Sequence, residues 1–89
     1  MHLANYLEKE EDIQPYMEAC IGYDPGDGSF IRAALGDIAR VRGMSQIARD
    51  SGVGREHLYR ALSTEGNPEF STILKVMKAL GLHLHIGTA

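Results

Sequence analysis

Arg55, Glu56, Tyr59 and Arg60 fall at positions that line the outer surface of a short helix. Their types suit the reading of base-pair edges. Arg55 can offer two parallel N–H donors to a guanine, Glu56 can accept from a cytosine amino group, and Tyr59 can meet a thymine methyl or a phosphate. Ser45, Gln46, Arg49, Arg60 and Asn67 fall at helix starts or in the loop that follows, where contacts to phosphates fix the register of a helix on a duplex. With Gly54 at the head of the helix, the DNA-facing set is Ser45, Gln46, Arg49, Gly54, Arg55, Glu56, Tyr59, Arg60 and Asn67. On an isolated helix such a face would simply be wet. The surrounding frame gives it meaning.

Catalytic chemistry finds less support. The histidines are His2, His57, His83 and His85, and no HExxH, GxSxG or paired-carboxylate arrangement accompanies them. His83 and His85 would share one face of an extended segment and could supply two metal ligands, but a third and fourth are missing. Gly22, Gly26 and Gly28 form no phosphate-binding loop, since no GxxxxGK[ST] pattern follows them. No enzyme activity, cofactor or metal is expected.

The frame that positions the polar face is Ser45 to Leu62. Ile47 and Ala48 point inward from a first helix capped by Ser45, Gly52 supplies the left-handed residue that ends it, and Val53 plugs the turn. A second helix starts from Gly54 and buries Leu58, Ala61 and Leu62. Upstream, a helix from Ser29 to Arg42 carries Phe30, Ile31, Ala34, Leu35, Ile38 and Ala39 on one side and stops at Gly43. Gly36 interrupts it, which suggests that another helix backbone approaches there. A first helix, with Asp12 as N-cap and Pro15 in its first turn, buries Ile13, Tyr16, Met17, Cys20 and Ile21. Asp24-Pro25-Gly26-Asp27-Gly28 connects the two. A last helix from Phe70 to Leu80 buries Phe70, Ile73, Leu74, Met77 and Leu80. Met17, Met44 and Met77 fill the core.

Two end segments complete the pattern. Leu82, Leu84 and Ile86 alternate with His83 and His85, so a short strand over 82–86 is expected, paired with another chain, with a second copy, or with an extended arm from Met1 to Leu7. At 89 residues the chain makes one small domain, 1–89, that a partner would help to stabilise. No apolar run reaches membrane-spanning length and Met1 to Asn5 has no leader-like pattern, so a cytoplasmic location is expected. Cys20 is the only cysteine and forms no internal disulfide.

Ile47-Ala48, Gly52-Val53, Leu62, Asn67-Pro68, Leu74 and Leu80 resemble the helix-turn-helix of phage Cro and repressor proteins. A narrower resemblance lies in Ala34 to Arg40, Gly43 to Arg49, Leu58 to Leu62 and Gly66-Asn67-Pro68, which are similar to the addiction-module antidote proteins, HigA-like antitoxins encoded beside RelE/ParE-type toxins. The likeness covers about Tyr6 to Leu84. Its one departure is Gly54, where such families usually carry Ser or Thr, and Gly is an acceptable N-cap. The resemblance implies an all-α, five-helix lambda-repressor-like DNA-binding domain, here with the short C-terminal strand. It also implies an antitoxin and transcriptional repressor of a type II toxin–antitoxin module, working as a homodimer on an operator and neutralising a RelE/ParE-type toxin. The alternatives are a phage-type regulator without a toxin, or an interaction module that no longer binds DNA.

Charge divides along the chain. Up to Asp37 two bases, Lys9 and Arg32, face eight acids, giving −6; from Ile38 onward seven bases face four acids, giving +3, and the two together make the net −3. This asymmetry points to an anionic partner for the second half and a cationic one for the first. Glu10, Glu11, Asp12 and Glu18 are therefore the candidate toxin-binding residues. The alternative for the run from Glu8 to Asp12 is a solvated helix start, where acids belong.

Overall fold

The computed structural model describes residues 10–63 and 65–88, and among these it contains five helices and no strand. They are α1 (Glu10–Tyr23), α2 (Ser29–Arg42), α3 (Met44–Ser51), α4 (Arg55–Ala61) and α5 (Phe70–Ala79). The arm expected over Met1 to Leu7 and the Glu10 side chain lie outside the described residues. α1 packs chiefly on α2, while α3 touches α2, α4 and α5 and so joins the rest together. Leu35 and Ile38 of α2, Leu58 of α4 and Val76 of α5 are fully buried at the centre, with Ile13, Met17, Met44, Ile47, Leu62 and Leu80 around them.

The link between α1 and α2 is built on one carboxylate. Asp24 Oδ2 accepts from the N–H groups of Gly26 and Gly28 at 2.8 and 2.9 Å, and its Oδ1 accepts from Phe30 N–H at 2.8 Å in the first turn of α2. Asp27 adds a bond from Ser29 N–H at 2.9 Å. Desolvation pushes the Asp24 carboxyl up, but the N–H bonds from Gly28, Gly26, Phe30 and Ile31 outweigh it and hold its pKa below the usual value of 3.8. Further along, the Tyr16 hydroxyl donates to Asp37 Oδ2 at 2.8 Å, and Asp37 Oδ1 pairs with Arg40 at 3.2 Å. Burial first, then the Asp37 acceptor and its charge, raise the Tyr16 pKa far above the ordinary phenol range. The bond fastens α1 to α2 beside Met17.

Gly36 marks a close approach. A Cβ built there would lie 3.3 Å from the Leu62 carbonyl oxygen at the end of α4 and 3.3 Å from the Arg40 guanidinium. The absence of a side chain in mid-helix is thus what lets the end of α4 rest against α2.

Several expectations are corrected. Residues 82–86 form no strand: Leu82 N–H donates to the Met77 carbonyl at 2.9 Å and its side chain packs on the core, but Ile86 is 83% exposed. Alternating apolarity makes a strand only where a neighbouring strand supplies hydrogen bonds, and none stands among the described residues. α1 already includes Glu10, so Asp12 lies inside it rather than at its cap, and Pro15 sits beyond the first turn. Pro15 is exposed, and the burial of Ile13 and Met17 on the opposite side sustains the helix despite the N–H it lacks. Ser45 is not the cap of α3. Gly43 takes that place at φ 103°, because buried Met44 already belongs to the helix.

The apolar stripes of three helices are also wider than the faces they bury. In α5 the inward edge is Thr72, Val76 and Leu80, with Ile73 and Met77 half-buried beside it, while Phe70 is 64% exposed and Leu74 lies outside. Ile21 of α1 and Phe30 of α2, expected inside, are 53% and 47% exposed. Periodicity marks an arc of apolar residues; only a neighbouring element decides which part of that arc is covered.

Candidate nucleic-acid interface

α3, its turn and α4 form two short helices joined at a sharp corner. Gly52 takes the left-handed conformation (φ 74°, ψ 8°) and returns its N–H to the Ala48 carbonyl at 3.0 Å, ending α3. The Ser51 hydroxyl, itself within 3.3 Å of the Ala48 carbonyl, accepts from Val53 N–H at 3.2 Å, and Val53 is buried under the turn. Gly54 is extended (φ −59°, ψ 145°) and its carbonyl accepts from Leu58 N–H at 2.8 Å, which starts α4.

Leu58, Ala61 and Leu62 lock the inner side of α4 into the core. Arg55, Glu56, His57, Tyr59 and Arg60 are all exposed. The Arg55 guanidinium stands over the Tyr59 ring, 5.7 Å from its centroid, so the arginine is partly ordered before any partner arrives. On α3 the exposed polar groups are tied to one another: Gln46 donates to Asp50 at 2.8 Å and accepts from Arg49 at 2.9 Å. Ser45 is half-buried beside them.

The loop after α4 curls back on it. Ser63 Oγ donates to the Arg60 carbonyl at 2.9 Å, and Gly66 N–H donates to the Ser63 carbonyl at 3.1 Å. Gly66 lies so close to the Arg60 carbonyl that a Cβ there would collide with it. This fold-back leaves an open concavity of about 300 Å³ lined by His57, Arg60, Ala61, Asn67, Pro68 and Glu69. The structure therefore brings Asn67 to Arg60, as a shared contact surface requires. His57 lines the same concavity, three residues before Arg60 on α4.

Glu11, Asp12 and Glu18 lie on α1, which packs chiefly on α2 and belongs to a different side of the contact network from α4. Among the described residues no three His, Cys, Asp or Glu side chains gather to hold a metal, and no helix is long and apolar enough to cross a membrane.

The geometry defines a small helical protein that presents one polar helix on a rigid support and an acidic helical hairpin elsewhere. The chain belongs to the family described as "Probable addiction module antidote protein", whose sequence model matches residues 1–88. An uncharacterized protein of Haemophilus influenzae is similar to it, 52% identical over 84 residues that span 94% of this chain and 84% of the relative. No solved structure gives a significant match. Membership implies, in general, a toxin as counterpart and points to a regulatory role.

Proposed function

We propose that this chain is the antitoxin of a type II toxin–antitoxin module, a homodimeric helix-turn-helix repressor that binds its own operator and neutralises a RelE/ParE-type toxin in the cytoplasm. The observation that carries the DNA-binding part is the division of α4. Its Leu58, Ala61 and Leu62 are buried, while Arg55, Glu56, Tyr59 and Arg60 are held outward in the arrangement a major groove accepts. Arg55 reads a guanine, Glu56 a cytosine amino group and Tyr59 a thymine methyl or phosphate; Ser45, Gln46, Arg49, Gly54, Arg60 and Asn67 contact the phosphates on either side. The same reading takes the five helices as a lambda-repressor-like domain. Glu10, Glu11, Asp12 and Glu18 face the toxin, whose cationic surface the acidic first half suits.

One helix as short as α4 reads few base pairs. Two copies, with recognition helices about one turn or ~34 Å apart, should bind a palindrome. Gel-shift titration against the protein's own promoter at two salt concentrations should give a retarded complex that weakens with salt and exceeds binding to scrambled DNA. Equal binding to scrambled DNA, or none at low salt, rejects the operator reading.

A further inference from the structure

By helical spacing the exposed side of α4 divides into three strips: Arg55 and Tyr59 on one flank, Glu56 and Arg60 along the middle, and His57 on the other flank. The His57 flank borders the loop that folds back after α4. There His57 shares an open concavity of about 300 Å³ with Arg60, Ala61, Asn67, Pro68 and Glu69. Gly66 makes this possible, because a residue with a Cβ would collide with the Arg60 carbonyl and the loop could not bring Asn67 to the helix.

Three of the lining side chains are N–H donors: the His57 imidazole, the Arg60 guanidinium and the Asn67 amide. Among the described residues none of the three is engaged in a side-chain hydrogen bond or an ion pair, whereas Gln46, Arg49 and Asp50 on α3 are tied to one another. Three free donors around one concavity, one of them a permanent cation, suit an anion with several acceptor oxygens. The concavity is open, so it suits a group presented by a larger molecule better than a small ligand that a pocket must enclose. A major groove about 12 Å wide takes a helix about 10–12 Å across with its side chains, so both flanks of the helix run beside walls of phosphates. Glu69 is the one acid in the lining, its Oε2 accepting from the Ser71 hydroxyl at 3.4 Å, and its charge opposes an anion there.

We infer that this concavity seats one backbone phosphate of the duplex, with His57 as a contact residue beside Arg60 and Asn67, and with Glu69 limiting the affinity. The inference rests on the reading of α4 as a helix that enters a major groove. It gives Arg60 and Asn67 one phosphate in common. It also makes His57 a positioning contact that takes no part in choosing the sequence.

The probes are a duplex of the protein's own promoter and a scrambled duplex of equal length, each titrated with the full chain and followed by fluorescence anisotropy. His57→Ala should weaken binding to both by the same factor, about three- to tenfold, because a phosphate contact carries no sequence information. His57→Gln keeps a side-chain N–H donor and should recover most of the loss. Glu69→Gln should tighten binding to both, and an unchanged or weaker affinity would place the phosphate elsewhere. A neutral methylphosphonate moved along the promoter should, at one position in each half-site, weaken the unaltered chain more than it weakens His57→Ala. If the unaltered chain binds neither duplex, the DNA reading fails and takes the seat with it. If it binds and His57→Ala binds equally well, or loses affinity for the promoter alone, the seat is overturned while the DNA reading stands. If both affinities fall but no phosphate position is coupled to His57, the loss is structural and the inference is wrong.

Discussion

Around the link between α1 and α2, the acids Asp24 and Asp27 accept hydrogen bonds from backbone N–H groups of their own loop, and the apolar side chains Ile21, Tyr23 and Phe30 are left outside. On α4 the order is reversed. There the apolar residues are buried and the polar ones reach outward, with the stacking of Arg55 on Tyr59 as the ordering contact among them. One region ties its two loop carboxylates to the backbone and leaves apolar side chains exposed; the other buries its apolar side chains and leaves its charges exposed. The first adjoins α1, whose acids are proposed to face the toxin, and the second suits a nucleic acid, whose phosphates are met by cations.

The largest test of this contrast removes the cations. Arg55→Ala with Arg60→Ala should abolish operator binding, each lost contact costing about 1–3 kcal/mol, while survival of cells expressing the toxin is unchanged. If the folded double variant also fails to protect, the two regions share a partner and the contrast collapses. A smaller effect is expected at the junction behind Arg60. Gly66→Ala forces the loop away from the Arg60 carbonyl and should destabilise the fold by ~1–3 kcal/mol in urea unfolding. Folded Gly66→Ala should lose operator affinity and keep its toxin affinity, because the displaced loop carries Asn67 but no part of α1.

The smallest effect sharpens the acidic side. The folded-state pKa of Asp24 lies below its unfolded value of 3.8, so its contribution to stability is fully present above that value and is lost as pH falls through the folded pKa. The stability gap between the unaltered chain and Asp24→Asn should therefore be open at pH 7 and close as pH drops below about 4. Denaturant titrations across that range measure it. A gap that persists in strong acid would mean that the loop is held by something other than the ionised carboxylate.

The helices were legible because they need only local information. Apolar spacing between Ser29 and Arg42, Gly43 and Gly52 as stops, and Gly54 before Leu58 and Leu62 state themselves in a single chain, since each depends on a backbone preference or on residues a turn apart. The family resemblance was carried by the same residues, and Gly36 could be read as a close approach, though not which carbonyl it admits. Tertiary structure decided what pairwise contact decides: that Val76 rather than Leu74 faces inward, that Phe30 and Ile21 stay uncovered, that Asp24 binds the start of α2, and that the fold-back at Gly66 brings Asn67 to Arg60 and His57. Among the described residues no strand forms after Leu82. An alternating sequence sets only which side chains would share a face, whereas a strand exists through hydrogen bonds to a second segment, and that segment must be placed by the fold.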